Sequence, residues 1–305
     1  MSSKTVLVVS TSDDAHVNHI VPLIQNRGAE VKRLDGDRFP DIPCYFNLCS
    51  ETTSAPLKES EADVVWYRRV VLPERFDVTA QFISQETEGL LNALLANYEG
   101  VRWVNNRHAM NSAKPKLQQL STAQRFGFRV PRSILTNQES ILKRFYHEND
   151  GQIVAKPIQT QVIVSPDGEL VVGTRKLRES DIKSAVQFFP CFAQQRLKLD
   201  HEMRVIVFGD QLFAFRLKAT APADDLKQLK LNQIQHQVSR LDVSTESKIR
   251  RFMLHYNLEF GAFDFGVTDD DEPYFLELNP NGQWLWLQFM TGCNLEVPFV
   301  NLLLK

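Results

Sequence analysis

The stretch Asp264-Phe-Gly-Val-Thr-Asp-Asp-Asp-Glu-Pro-Tyr-Phe-Leu-Glu277-Leu-Asn279-Pro280-Asn281-Gly282 decides how this 305-residue chain is read. It sets one acid at Asp264, a second at Glu277 and an amide at Asn279. Phe260, Phe263, Phe265 and Val267 surround the first acid, and Tyr274, Phe275, Leu276 and Leu278 surround the second, so both segments read as strands. The acidic, proline-containing run from Thr268 to Pro273 reads as the turn between them. Alternate residues of a strand share a face, so a hairpin of this length brings Asp264 beside Glu277 and Asn279. Two carboxylates and an amide oxygen form a hard-oxygen site suited to Mg2+ carrying substrate phosphates. The competing reading is a surface hairpin that happens to be acidic. Asp269 to Glu272 suit that reading. Asp264 and Glu277 do not, because each is flanked by large apolar residues and is costly to bury unpaired.

The rest of the composition bounds the answer. The length predicts a large core in two or three lobes. A net charge of −2 supplies no basic field for nucleic acid. Residues 4–10 are apolar for about one strand's length, with no signal-peptide or membrane-span pattern. Cys44, Cys49, Cys191 and Cys293 show no paired CxxC spacing, and free thiols in a reducing cytoplasm are the expectation.

The chain begins in alternation. Thr5–Ser10 reads as a buried strand. Ser12 or Asp13 can cap a helix with Val17, Ile20, Val21 and Ile24 on one face and Gly28 as its stop. Pro22 is expected to kink or shorten that helix. His16 and His19 lie one turn apart and, lacking a third ligand, read as surface histidines. Strands at Glu30–Leu34 and Asp63–Arg68 complete a β-α-β pattern, which predicts an open parallel sheet. The polar run Ser50–Glu61 reads as a loop. Helices are expected at Ser84–Tyr98 and over 114–127, the latter ending at Gly127. From about residue 150 short apolar runs read as strands: Ile153–Lys156, Val162–Ser165, Leu170–Thr174, Cys191–Gln195, Met203–Phe208 and Leu212–Leu217. Between Ala223 and Tyr256 the composition turns polar and helical, with a basic run at Lys248-Ile-Arg250-Arg251.

The hairpin, with Glu-Leu-Asn-Pro-Asn-Gly-Gln-Trp at 277–284, resembles the metal-binding end of the ATP-grasp ligases. Val65-Trp-Tyr-Arg-Arg69, Trp103-Val-Asn-Asn106, Lys116-Leu-Gln-Gln-Leu120, Gly127-Phe-Arg-Val-Pro131, Ile153-Val-Ala-Lys-Pro157 and Gly261-Ala-Phe-Asp264 extend the likeness over nearly the whole chain. Within that superfamily the sequence is most similar to the graspetide (microviridin-type) ribosomal peptide maturases. The resemblance implies an α/β chain of α+β lobes. An N-terminal Rossmann-like pre-ATP-grasp domain would occupy 1–112, a central ATP-grasp lobe 113–195, and a C-terminal lobe with the metal site 196–305. It also implies ATP and Mg2+ as cofactors, a precursor peptide with a leader segment as partner, a homodimer, a cytoplasmic location, and no nucleic-acid or membrane partner.

Residue by residue, the resemblance makes Lys156 the phosphate lysine of the central lobe and Lys116 the second, with Lys114 close enough to take its place. Gln194-Gln195-Arg196-Leu197 matches the hinge whose backbone reads the adenine edge. Glu202, seven residues past Gln195, matches the acid for the ribose hydroxyls; pairing with Arg204 on its own strand face is the alternative. Asp264, Glu277 and Asn279 are the metal ligands. Ligases of the D-alanine type carry an arginine two residues before the first acid, where this chain has Ala262, so Arg204 and Arg216 are the candidates for charge stabilisation. The loop Gln159–Val162 lacks the glycines that many relatives place over the phosphates. The implied activity is ATP-dependent activation of Asp or Glu side chains of a precursor peptide as acyl phosphates. Capture by Ser, Thr or Lys then gives macrocyclic esters or amides. Two rivals share the nucleotide residues: a ligase joining free amino acids or adding Glu to a protein end, and a nucleotide-binding protein without turnover. A docking surface for a leader helix on 223–256, its basic end at Arg250 and Arg251, would favour the peptide maturase.

Overall fold

The computed structural model describes residues 3–39, 41, 45–47, 52–54, 62–70, 78–98, 100–158, 161–165, 168–187, 189–221, 226 and 229–305. The chain begins with β1 (Thr5–Ser10), α1 (Ala15–Asn26), β2 (Glu30–Asp35), the hairpin β3 (Tyr45–Asn47) and β4 (Thr52–Ser54), β5 (Val64–Tyr67), α2 (Val78–Ala96) and β6 (Arg102–Val104). Strands β2-β1-β5-β6 form a parallel sheet in that order. All six residues of β1 are buried, as expected for a strand covered on both faces. Next come α3 (Arg107–Ala113), α4 (Lys116–Arg125), β7 (Ser133–Thr136), α5 (Glu139–Glu148) and β8 (Ile153–Ala155). They are followed by β9 (Gln161–Ser165), β10 (Gly168–Val172), β11 (Arg175–Lys176), α6 (Ile182–Ala185) and β12 (Cys191–Gln195). A four-stranded sheet runs β11-β8-β12-β7, and β9 pairs with β10. The last part holds β13 (His201–Phe208), β14 (Gln211–Ala219), β15 (Ile234–Ser239), α7 (Val243–His255), β16 (Phe260–Val267), β17 (Pro273–Asn279), α8 (Leu285–Thr291) and α9 (Glu296–Leu303). Its antiparallel sheet runs β15-β14-β13-β16-β17.

This five-stranded sheet is the centre of the molecule, and its alternation divides the core in two. Ile206, Phe208, Phe215, Phe260 and Ala262 pack on one face with Val6, Val17, Trp284 and Phe299. Val205, Phe263 and Phe265 pack on the other with Ile249 and Phe252 of α7 and Leu120 of α4. Each fully buried phenylalanine contributes about 1.5–3 kcal/mol. Among the described residues no helix is long and apolar enough to cross a membrane.

Several expectations change. Asp14, rather than Ser12 or Asp13, caps α1, its carboxylate accepting the N–H of His16 and Val17. Pro22 lies inside α1 without ending it. The segment expected to be helical from Ala223 contains β15 instead. Ile234, His236 and Val238 alternate with Gln235 and Gln237, a period that suits an edge strand beside β14. Residues 222–225 and 227–228 lie outside the described residues, as do Cys44, Cys49, most of Ser50–Glu61, and 159–160 of the loop Gln159–Val162. Cys191 and Cys293 are free thiols. Gly127, just past α4, has φ +84°, the left-handed geometry that ends a helix at little cost for glycine.

His16 is the plainest correction, being 6% exposed rather than a surface histidine. Its Nε2 accepts the backbone N–H of both Trp284 and Leu285 at 3.0 Å. Burial, and then the nearby Arg68 charge, push its pKa down from the ordinary 6.5 to about 3. Only the neutral ring accepts, so the unfolded chain binds a proton between about pH 6.5 and 3 that the folded chain refuses. The stability this contributes is complete above pH 6.5 and declines as pH falls toward 3. Urea unfolding at a series of pH values should show it. His16→Gln, whose amide oxygen can accept without titrating, should flatten the acid limb by up to about 1.4 kcal/mol per pH unit.

Candidate active site

The hairpin sets the chemistry by register. Asp264 on β16 pairs with Glu277 on β17, and Ala262 with Asn279; on the other side Asp264 pairs with Arg204 of β13. Directly opposed residues share a face, so Arg204, Asp264 and Glu277 form one row across the sheet, with Asn279 and Glu202 on the same face. Register then slips by one between Asp264 and Phe265, leaving Leu276 as an extra residue. That bulge lets the consecutive Leu276 and Glu277 both border one cavity, which strict alternation forbids. Simple strand alternation, as read from the sequence, does not anticipate it.

The polar contacts are close. Arg204 Nη1 donates to Asp264 Oδ1 at 2.6 Å and Nη2 to the Gln283 carbonyl at 2.9 Å. The Asn279 amide donates to Glu277 Oε1 at 3.2 Å and Asp264 Oδ2 at 3.4 Å. Lys116 Nζ lies 3.9 Å from Glu277 Oε2 and donates to the Pro157 carbonyl at 3.2 Å. Among the described residues no group of three or more His, Cys, Asp or Glu could by itself hold a metal. Two carboxylates and one amide are a donor set that leaves most of an octahedral shell to water and phosphate, the way Mg2+ is commonly held beside nucleotides. The residues fit the ion.

Lys116, Lys156, Gln194, Glu202, Asp264 and Glu277 converge on a cavity of about 140 Å³ between the four-stranded and five-stranded sheets. Lys116 opens α4, whereas Lys114 caps the end of α3 and bonds Asn111 Oδ1 at 3.1 Å, which separates the two lysines. Gln195, Arg196 and Leu197 also border the cavity. Gln194 turns its side chain to Ser133 Oγ at 3.0 Å. The backbone N–H of Gln195 goes to Arg132 O and that of Arg196 to Gln152 O, each at 2.8 Å, so the first amides of the expected hinge are taken up inside the fold. Glu202 borders the cavity, while the Arg204 fork goes to Asp264 and Gln283. A second cavity, of about 500 Å³, adjoins at Leu199 and Glu202.

Arg216 is not brought to this group. It pairs with Met203, and Arg204 with Phe215, so the two arginines leave opposite faces of the sheet. Arg216 Nη2 and Lys218 Nζ both donate to Asp200, at 2.8 and 2.7 Å. The Lys218 bond, then those of His201 and Arg216, hold Asp200 below the usual carboxylate range. The basic run on α7 is likewise engaged. Arg250 donates to Asp210 O, Arg251 to Phe126 O, and Ile249, Phe252 and Met253 are core. The apolar face of α7 packs the lobe.

Three buried side chains without a role in the sequence reading grip the segment that carries the ligands. Gln119 bonds Leu278, Asn105 bonds Pro280 O and Phe260, and His16 bonds Trp284 and Leu285. The signal existed for Gln119, a polar residue on the stripe that α4 shares with Leu120 and Ala123. Gly282 belongs to the same segment. A Cβ there would lie 2.6 Å from Ala262 Cβ and 2.9 Å from Arg204 Nη2. Gly282→Ala should therefore displace Arg204 from Asp264, costing about 1–3 kcal/mol of stability. Chemical denaturation measures that cost, and a wild-type midpoint would contradict it.

No family model matches the chain, and no curated protein does. Solved structures do. The macrocyclase MdnC from Microcystis aeruginosa MRC, bound with precursor peptide MdnA, superposes with a TM-score of 0.87 at 24% identity, covering 98% of this chain and 99% of that one. A RiPP-associated ATP-grasp ligase from Chryseobacterium gregarium, in complex with ADP and a leader and core peptide, gives 0.86 at 22%, covering 99% and 96%. This chain has the ATP-grasp fold. The macrocyclase MdnB from the same Microcystis strain gives 0.79 at 27% identity, covering 98% and 99%. The likeness runs end to end.

Proposed function

We propose that this chain is an ADP-forming ATP-grasp ligase that crosslinks a ribosomal precursor peptide, joining Asp or Glu side chains to Ser, Thr or Lys. The observation that carries the reading is the row Arg204–Asp264–Glu277, with Asn279 beside it, at a cavity that also receives Lys116 and Lys156. It is supported by structural neighbours described as macrocyclases and by neighbours solved with precursor peptide, ADP or Mg.

In this reading Asp264, Glu277 and Asn279 would hold Mg2+, which would supply charge neutralisation to the nucleotide phosphates. Lys116 and Lys156 bind phosphate oxygens, and Glu202 accepts the ribose hydroxyls. Arg204, fixed by Asp264 and Gln283, directs a planar cation toward the reacting groups. A peptide carboxylate oxygen takes the γ-phosphoryl group and ADP leaves. A hydroxyl or amine then attacks the acyl carbon, gives up its proton and expels phosphate. The peptide loses the atoms of one water per ring. Positioning of the two peptide groups in the closed site supplies most of the rate. Because the reaction needs ATP, we place it in the cytoplasm, and we take the acting unit to be a homodimer, which light scattering tests directly.

The test is mass spectrometry of a leader-bearing candidate precursor, rich in Thr/Ser and Asp/Glu, incubated with protein, ATP and Mg2+. Loss of one water per ring, with much slower loss from the leaderless core, is the expected result. ADP release supported equally by leaderless peptide or free amino acids would replace this reading with that of a free amino-acid ligase.

A further inference from the structure

β17 is the outer strand of its sheet, so the peptide groups on its far side need partners from elsewhere. At Leu278, between Glu277 and Asn279, one side chain supplies both. Gln119 Oε1 accepts the Leu278 N–H at 2.8 Å and Gln119 Nε2 donates to the Leu278 carbonyl at 2.8 Å. The same Nε2 donates to Ala113 O, the last residue of α3, at 2.5 Å. The side chain is 2% exposed and its carboxamide stands where a neighbouring strand's peptide would. Gln119 also lies one turn beyond Lys116, whose Nζ faces Glu277.

We propose that Gln119 is a positioning residue for the metal ligands, its carboxamide fixing the peptide between Glu277 and Asn279 and setting their distance from Lys116. This role rests on the Mg2+–nucleotide reading of the site. A strand edge held at one peptide only by backbone pairing to β16 can twist about that line. The second pair of bonds, on the opposite edge, removes that freedom and fixes both flanking side chains. Asn105 adds a single bond one residue beyond Asn279, donating to Pro280 O at 2.9 Å as well as to Phe260 O at 2.6 Å. Two buried carboxamides therefore bracket the amide ligand.

Gln119→Met keeps the bulk and removes the donors and the acceptor. Two readouts apply to the full chain: hydrogen exchange of the 275–281 segment without nucleotide, and Mn2+·ADP affinity by electron paramagnetic resonance. We expect faster exchange at Leu278 and Mn2+·ADP binding weakened by about 10-fold, the lower end of what removing a ligand's supporting partner costs. Gln119→Glu, isosteric and neutralised by burial, should recover part of both. Faster exchange with wild-type Mn2+·ADP affinity would reduce Gln119 to a packing residue and overturn the proposal. If Gln119→Met fails to fold, Gln119→Glu decides by the same two measurements. A wild type that protects Leu278 yet binds no Mn2+·ADP would sink the functional reading itself, and this role with it.

Discussion

Glu277→Gln is expected to abolish Mg2+-dependent ADP release while leaving the fold nearly unchanged. The substitution keeps the length of the side chain, and its amide oxygen can still accept from Asn279 Nδ2, now 3.2 Å from Glu277 Oε1. Its stability cost should stay below about 1 kcal/mol, a shift of at most ~4 °C for a chain of this size. The functional cost is of another order, because one of only two carboxylates in the donor set becomes neutral. Loss of several kcal/mol of charge stabilisation corresponds to about 10³-fold in rate. Asp264→Asn should inactivate equally and destabilise more. Its carboxylate is the partner of Arg204 at 2.6 Å, with both side chains 11% exposed, and removing one member of a mostly buried pair costs roughly 3 kcal/mol or more. ADP release and thermal melts of both variants separate the two effects. Rates near wild type in either variant would remove the metal assignment.

The contrast between those variants shows what the sequence could reveal. Asp264, Glu277 and Asn279 were legible because acids set among Phe263, Phe265 and Leu278 contradict their surroundings, and a hairpin period brings them together. Arg204 was legible as a strand arginine, and alternation alone assigned its face. What alternation cannot give is the relative offset of two strands. Arg204 and Arg216 looked equivalent until the pairing of Arg204 with Phe215 sent Arg216 to the opposite face. The bulge at Leu276 was hidden for a similar reason, since an extra residue leaves no mark in a run that is apolar throughout. The partners of His16, Asn105 and Gln119 were hidden differently. Each of these three is a polar residue with backbone partners over 150 residues away, and backbone groups look the same at every position of a sequence. The strand β15 was masked by its own composition, because Gln235, His236 and Gln237 on an edge strand are polar enough to pass for a helix surface.

Lys156→Met should weaken binding of a non-hydrolysable ATP analogue by roughly 10–100-fold, the worth of about 1.5–3 kcal/mol for a charge-assisted contact to phosphate. The residue stands just past the end of β8, where its backbone N–H is anchored on Phe192 O at 3.0 Å. Its side chain is half-buried and borders the cavity. The next carbonyl along, that of Pro157, receives Lys116 Nζ at 3.2 Å, and both lysines border the same cavity. Asp264 and Glu277 border that cavity too, so it carries both basic and acidic groups. Methionine preserves the length of the stem and removes only the ammonium group. The melting temperature should therefore move little, and the loss should shrink in high salt, where the wild-type contact is itself screened. Calorimetric titration at two ionic strengths measures both quantities. A wild-type affinity in Lys156→Met would make this lysine an ordinary strand-end residue and leave the phosphates to Lys116 and Arg204.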